Sequence, residues 1–453
     1  MLWLEILLLV GIIAYSAKLG GIGVGMAGAV GMIAATAVFG LKPGFIPVDV
    51  MLIIMTVILA ISVMQRAGGL AFMVKCAEKL LRNNPKYINA LAPAVCFMLT
   101  TLGGTGYMAM SVLNVIQEVA KENNVRPAQP LTSSVIASQI ACTASPISAA
   151  TAAMFAVVEP MHVSFAAVLL VIITTSAFAA AICAVISSLQ GKTELSEDPI
   201  FLERLKKGLV SMQSKEDKVK PATHEAKLSV LIFLSGVSVI VLLLLFKNQI
   251  GHTLSSRDLI VMIMMFCAWL MYLFCKVDLA TIKDAPIFKS GAESLIVVLG
   301  IVWFSSTIIN AHLPEVEESA VALLEQYPYL LAVVFFLASA VLFSQGSTAA
   351  LICPVAASLG VDAATIVGSF VACSALYITN VYPTTAFAIS CDDTGSFMGR
   401  RWNGSFVINH PFFIPGCISL AAAVPFGLML ARMLLCPTRN NPLILFPTGV
   451  FRK

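Results

Sequence analysis

Residues 341–354 read VLFSQGSTAALICP, and this stretch places a polar cluster inside an apolar run. Ser344, Gln345, Gly346, Ser347 and Thr348 follow one apolar run and precede another. Polar backbone and side chains survive at membrane depth only where protein encloses them or where they line a watery cavity. We therefore interpret the stretch as the tip of a helical hairpin that lies inside a membrane protein.

The composition excludes an ordinary soluble domain. Of 453 residues 59% are hydrophobic and 11% are charged, and the mean hydropathy is +0.93. Apolar stretches recur along the chain, each near the length that crosses a hydrocarbon core of about 30 Å. They cover residues 2–16, 21–39, 48–64, 163–189, 228–246 and 411–435. The chain is predicted to be an all-α polytopic membrane protein, with 2–16 retained as its first helix rather than removed as a signal peptide.

Charge distribution predicts the orientation. Most of the 28 Lys and Arg residues fall in alternate connections, and such a bias marks the cytoplasmic side. The loop 312–326 on the other side carries four Glu and no Lys or Arg. Both termini are therefore expected in the periplasm.

Two segments leave and return on one side under this orientation. The basic connections 66–86 and 121–126 are both cytoplasmic, so residues 87–120 are predicted to form a re-entrant hairpin bent at Thr100–Gly106. The loops on either side of 327–359 are both periplasmic, so this segment is predicted to be a second re-entrant hairpin, bent at Ser344–Thr348.

Each hairpin precedes a helix with a polar break around a proline, and this order predicts an inverted repeat. The two broken helices are 131–157 and 363–389, interrupted at Pro146 and Pro383, which we expect to act as hinges. Because the hairpins enter from opposite sides, the halves have opposite orientation, as is typical of secondary transporters. The predicted division is a first half at 1–190, a cytoplasmic linker at 191–226, a second half at 227–436 and a tail at 437–453.

The four polar breaks predict one central site for an anionic substrate. The candidate binding residues are Gly104, Thr105, Gly106, Ser145, Ser148, Gly346, Ser347, Thr348, Asn380, Thr384 and Thr385. No Lys or Arg lies at these breaks, so hydroxyls, helix N-termini and a co-bound cation near Thr105 and Thr348 are expected to balance substrate charge.

Other kinds of site are not expected. The eleven cysteines form no CxxC pair and the five histidines are scattered, which speaks against a metal site, and no cofactor is predicted. The match to GxGxxG at 23–28 lies inside an apolar helix and indicates packing rather than nucleotide binding. An enzyme would need an intramembrane His, Asp or Glu constellation, and a channel an open filter axis, so we expect neither, and no nucleic-acid partner.

Five separated motifs resemble the anaerobic C4-dicarboxylate transporter (Dcu) family, most closely its A-type members. They are PGFIPVDVMLIIM (43–55), AEKLLRNNPKYI (77–88), GTG (104–106), ASPISAA (144–150) and FVINHPFFIPG (406–416). The resemblance extends to about residue 435. It departs at Leu113 and Asn114, where Leu-Pro is expected, at Tyr107 and in the tail.

The resemblance implies an antiporter of fumarate, succinate, malate and aspartate in the inner membrane of a bacterium that grows anaerobically. It also implies the ion transporter superfamily, whose folds are homodimers with a scaffold and an elevator-type transport domain. A symporter of the same fold, coupled to Na⁺ or H⁺, is the alternative that the residues leave open.

Overall fold

The computed structural model is all-helical, with no β-strand in the ranges that it describes. These ranges are 2–19, 21–44, 46, 48–189, 194–210, 223–246, 250, 254–308, 310–312, 326–327, 329–342, 344–378, 382–397 and 411–435. The α-helices of the first half and the linker are α1 (Leu2–Leu19), α2 (Gly21–Ala37), α3 (Val48–Arg66), α4 (Gly69–Asn83), α5 (Ile88–Gly103), α6 (Tyr107–Glu122), α7 (Ala128–Ala144), α8 (Ala149–Val158), α9 (Phe165–Leu189) and α10 (Pro199–Lys206). Those of the second half are α11 (His224–Leu245), α12 (Ser256–Cys275), α13 (Pro286–Val297), α14 (Leu330–Leu342), α15 (Gln345–Ser358), α16 (Ala363–Ser369), α17 (Pro383–Cys391) and α18 (Phe413–Leu435).

Several of these elements are long and apolar enough to cross a membrane. Within the described ranges there are six, or up to seven if α3 and α4, which meet at 74°, form one bent span. They are Ala128–Met161, Phe165–Leu189, His224–Leu245, Ser256–Cys275, Pro286–His312 and Phe413–Leu435. The prediction of an all-α polytopic membrane protein is confirmed.

The first hairpin turns on a glycine. Gly104 has φ +70°, a left-handed conformation that disfavours a side chain, and its N–H donates to the Thr100 carbonyl at 2.7 Å. The next helix, α6, begins three residues later and packs back against α5. The turn therefore occupies the last part of the predicted bend.

The second hairpin turns earlier than predicted. Ser344 is the N-cap of α15, its hydroxyl accepts from the Ser347 N–H at 3.1 Å, and its carbonyl accepts from Thr348. Gln345 to Thr348 form the first turn of α15 rather than a loop, because the Ser344 hydroxyl caps this turn by accepting from the Ser347 N–H. The bend predicted over Ser344–Thr348 is thus confined to its beginning.

The first polar break separates α7 from α8 at residues 145–148. Pro146 lacks a backbone N–H, and Ser145 is extended. Ser148 caps α8 by accepting from the Thr151 N–H at 3.1 Å. The break and the restarted helix follow from these local preferences.

The second polar break differs from the first because a 3₁₀-helix precedes it. A 3₁₀-helix over Phe370–Tyr377 follows α16, and Pro383 then occupies the first turn of α17. Residues 379–381, which include Asn380, lie outside the described residues. The second half-helix pair is therefore α16 with its 3₁₀ extension, followed by α17.

Similar helix contacts occur in residues 88–189 and in residues 330–435. α5 packs on α7 and α7 on α9, while α14 packs on the 3₁₀-helix and α16 on α18. The halves meet where α9 contacts α18 and where α7 contacts the 3₁₀-helix. This arrangement buries the first polar break, whereas Pro383 at the start of α17 is exposed.

The glycines of α2 serve close packing, as predicted. A Cβ atom on Gly25 would lie 2.2 Å from the Ile296 carbonyl oxygen, and one on Gly28 would lie 2.4 Å from the Gly300 carbonyl carbon. Small residues allow such backbone approach between membrane helices. The match to GxGxxG is a helix-crossing site.

Candidate functional site

Each hairpin tip contacts the first polar break. A Cβ atom on Gly104 would lie 3.2 Å from Ile147 Cγ1, and one on Gly346 would lie 3.1 Å from Ala149 Cβ. Both neighbours belong to the segment that surrounds Pro146. Tips that lie far apart in sequence therefore meet at one place.

The helices that leave the tips pair with the helices that leave the breaks. α15 packs on α8, and α6 packs on α17. In each pair the N-terminal turns lie close together, at a place that we call the junction. Gly346 faces Ala149 in the first pair, and in the second pair Gly106 lies next to Gln139, which donates to Thr384. We call these two arrangements the first terminus pair (α8 and α15) and the second terminus pair (α6 and α17).

Capping leaves part of each N-terminus directed at the junction. The first four N–H groups of a helix have no intrahelical acceptor. Ser148 accepts from the Thr151 N–H and Ser344 from the Ser347 N–H. The backbone N–H groups before Thr151 in α8 and before Ser347 in α15 therefore point out of the helix ends. A helix N-terminus carries partial positive charge and binds anions.

A buried glutamine connects the two pairs. Gln139 of α7 is fully buried, and its Nε2 donates to Thr384 Oγ1 at 2.9 Å. Gln345 Nε2 donates to Gln139 Oε1 at 2.9 Å and to the Gln139 carbonyl at 3.3 Å. A Cβ atom on Gly106 would lie 3.0 Å from Gln139 Nε2. We call these four residues the Gln139 cluster.

The predicted serines of the first break have internal partners. Ser148 donates to the Cys142 carbonyl at 2.6 Å and approaches Thr151 Oγ1 at 3.1 Å. Ser145 Oγ accepts from the Ile147 N–H at 3.4 Å. Both residues shape the break, and their hydroxyls hold its backbone.

The predicted residues of the second hairpin differ from one another. Thr348 Oγ1 donates to the Ser344 carbonyl at 2.8 Å, inside its own helix turn. Ser347 is fully buried, and its hydroxyl has no hydrogen-bond partner among the described residues. A buried hydroxyl without a partner is able to donate to a ligand, which makes Ser347 a candidate contact.

The remaining predicted residues lie at the turns themselves. Thr105 is half-buried between Gly104 and Gly106, and its carbonyl accepts from Met108 at 3.2 Å. Thr385 is buried in the first turn of α17 and donates to the Tyr382 carbonyl at 2.7 Å. The hinge candidate Pro146 is buried, whereas Pro383 is exposed.

The site is polar without being charged. None of α5, α7, α8, α15 and α17 contains Lys, Arg, His, Asp or Glu. The described residues contain no group of three or more His, Cys, Asp or Glu that could hold a metal ion. Helix N-termini, hydroxyls and amides are the groups that can bind a ligand here.

Sequence reasoning missed Gln139 and did not count Gln345 among the binding residues. The available signal was an amide side chain in α7, where all but one of the residues are buried. A Gln in the middle of a buried membrane helix needs a hydrogen-bond partner, which its local sequence does not supply.

Comparison with known proteins places this chain in a family. The family model described as "Anaerobic c4-dicarboxylate membrane transporter" matches residues 1–435. The C4-dicarboxylate transporter DcuA of Wolinella succinogenes is 44% identical over 440 residues, which cover 96% of this chain and 100% of that protein. DcuA of Escherichia coli K12 is 42% identical over 441 residues, with 96% and 100% covered. DcuB of E. coli CFT073 is 35% identical over 438 residues, with 92% and 96% covered.

These relatives confirm the resemblance that the motifs indicated. The two DcuA proteins share more identity with the chain than the DcuB protein does. The chain is a multi-pass membrane protein that belongs to the DcuA/DcuB family of anaerobic C4-dicarboxylate membrane transporters.

Proposed function

We propose that this protein exchanges C4-dicarboxylates by antiport across the bacterial inner membrane, with its termini in the periplasm. The observation that carries the proposal is the presence of two terminus pairs at one buried junction. A C4-dicarboxylate has two carboxylates, and each terminus pair offers uncharged N–H donors for one of them. The relatives are C4-dicarboxylate transporters by name, which supports the substrate class.

The proposed architecture is an inverted repeat with an elevator mechanism. The similar helix contacts in residues 88–189 and 330–435 support the repeat. Hairpins 87–120 and 327–359, together with the broken helices, would form the moving transport domain, and the other helices a scaffold that forms a homodimer. Such discontinuous helices at a repeat interface are the usual setting of transporter sites.

The proposed substrates are succinate, fumarate, malate and aspartate. The carboxylates would bind at the terminus pairs, and the hydroxyls of Ser347, Thr384 and Thr385, in the first turns of α15 and α17, would contact a polar substituent between them. Transport rather than catalysis is the proposed activity, since the site offers no titratable carboxylate, histidine or metal set within the described residues.

Proteoliposome exchange tests antiport. We would measure uptake of labelled succinate and labelled aspartate into vesicles that are empty or preloaded with unlabelled succinate, with and without external Na⁺ and at two external pH values. Uptake only into preloaded vesicles, without dependence on Na⁺ or a pH gradient, is the expected result. Uptake into empty vesicles that requires Na⁺ or a proton gradient would instead establish the symporter, with a cation near Thr105 and Thr348.

Two substitutions test the site itself. We expect Thr105→Ala and Thr348→Ala each to weaken succinate binding in detergent by roughly tenfold, because a hydrogen bond to a charged group contributes about 1.5–3 kcal/mol. The Thr348 hydroxyl would exchange its bond to the Ser344 carbonyl for one to the substrate. Thr36→Ala is the matched control, since Thr36 also donates to a carbonyl of its own helix, at 2.9 Å, but lies on α2. Unchanged affinity in both site variants would contradict the assignment.

A further inference from the structure

We propose that Gln139 sets the separation of the two terminus pairs and thereby selects the chain length of the dicarboxylate. The inference deepens the proposed function and rests on it. It concerns a residue that acts by positioning the helix ends, whether or not its amide touches the substrate.

The position of Gln139 is the first step. Its side chain is fully buried in α7, and its hydrogen-bond partners in α15 and α17 and the neighbouring Gly106 all lie at helix N-termini. Gln345 is the first residue of α15, Thr384 is the second residue of α17, and Gly106 precedes α6. One amide thus contacts a member of the first terminus pair and both members of the second.

The hydrogen-bond pattern is the second step. Gln139 Oε1 accepts from Gln345, and its Nε2 donates to Thr384, both at 2.9 Å. A carboxamide is rigid, so an acceptor on one side and a donor on the other fix the two partners at a set spacing. Gln345 is additionally held by the Gln139 main-chain carbonyl, which prevents the tip of the second hairpin from sliding along α7.

Gly106 gives independent support for close fitting at this amide. Its φ of −62° is open to any residue, so the backbone conformation does not require glycine. A Cβ atom there would approach Gln139 Nε2 to 3.0 Å, which is tighter than ordinary contact. The space around the amide therefore depends on the missing side chain of Gly106.

Fixed spacing has a consequence for selectivity. Two carboxylates joined by a longer or shorter carbon chain cannot both reach rigid helix ends that are set for one length. A single methylene of mismatch lowers binding by about 10- to 200-fold in a well-fitted site. We therefore expect succinate to be preferred over malonate, which is one carbon shorter, and glutarate, which is one carbon longer.

The experiment measures chain-length preference in Gln139→Leu and Gln345→Leu. Unlabelled malonate, succinate and glutarate would compete with labelled succinate exchange in proteoliposomes, and the same three compounds would be ranked by thermal stabilisation of detergent-solubilised protein. In both variants we expect the preference for succinate over glutarate to fall at least roughly fivefold. The double variant should fall little further than Gln139→Leu, because the side-chain connection is already broken there and only the longer bond from Gln345 to the Gln139 carbonyl, at 3.3 Å, is left to lose.

Controls separate positioning from stability. Gln65→Leu removes an amide from α3, away from the junction, and should keep the wild-type preference. Gly106→Ala, which leaves every cluster hydrogen bond in place but crowds the amide, should lower the preference without matching the effect of Gln139→Leu. If Gln139→Leu does not fold, Gln345→Leu and Gly106→Ala carry the test.

The outcomes distinguish the inference from the proposed function. A wild-type protein that binds the three compounds equally, or variants that lose thermal stability while the preference stays unchanged, would overturn the role of Gln139. A wild-type protein that binds succinate preferentially but does not exchange it would overturn antiport and leave the inference standing.

Discussion

Two serines three residues apart in the second hairpin have opposite roles. Ser344 uses its hydroxyl to cap α15, and its loss would expose the helix end. Ser347, one turn later, is buried with no partner for its own hydroxyl among the described residues. Similar side chains therefore contribute stability in one case and an unsatisfied polar group in the other.

We predict opposite stability changes for Ser344→Ala and Ser347→Ala. Loss of the cap should lower the free energy of unfolding by about 1 kcal/mol. Removal of an unpaired buried hydroxyl should leave stability unchanged or raise it, by up to about 1–3 kcal/mol. Thermal unfolding of substrate-free protein measures both changes.

Succinate affinity distinguishes the roles of Ser344 and Ser347 further. If the Ser347 hydroxyl is reserved for substrate, Ser347→Ala should weaken succinate binding while Ser344→Ala follows the stability change. Retained affinity in Ser347→Ala would show that the hydroxyl has no substrate role.

At the scale of the elements, α2 and the helix that begins with α13 cross at backbone contact. Gly300 lies in a π-turn over Val298–Val302, and a Cβ atom on it would lie 2.0 Å from the Gly25 carbonyl oxygen. Such a distance cannot be relieved by a side-chain rotation, because the neighbouring atom belongs to the backbone.

We predict that Gly300→Ala separates these helices. Overpacking of this kind lowers stability by about 1–3 kcal/mol, which should appear as a lower thermal unfolding midpoint. Gly11→Ala is the matched control, since no atom lies within 4 Å of the added Cβ on α1. Equal midpoints for the two variants would contradict the crossing.

The elements differ in how far sequence could predict them. The breaks at Pro146 and Gly104 were predictable because proline and left-handed glycine act locally. The end of the second bend at Ser344 was not, because a Ser-rich segment can form either a loop or a capped first turn. The 3₁₀ stretch Phe370–Tyr377 and the partners of Gln139 depend on packing between residues far apart in sequence.

At the scale of the molecule, a charged cluster joins the halves near the predicted cytoplasmic side. Asp393, which follows α17, accepts from Lys121 at 3.0 Å and from Gln117 at 2.7 Å on α6. Its carbonyl accepts from Arg204 of the linker helix α10 at 2.8 Å. Neighbouring Asp392 holds the turn after α17, because its carboxylate accepts from Thr394 and Ser396.

We predict that Lys121 and Asp393 are energetically coupled. Lys121 is 9% exposed, so Asp393→Asn leaves a largely buried ammonium with weakened compensation. The Asp393 side chain is 30% exposed, and this solvation lowers the expected loss to about 1–3 kcal/mol. Thermal unfolding of Asp393→Asn, Lys121→Met and the double variant forms the test. The double variant should be more stable than the sum of the single losses predicts, because replacing both partners leaves no unpaired charge. Additive losses would mean that Lys121 and Asp393 contribute independently and that their ion pair supplies no coupling energy.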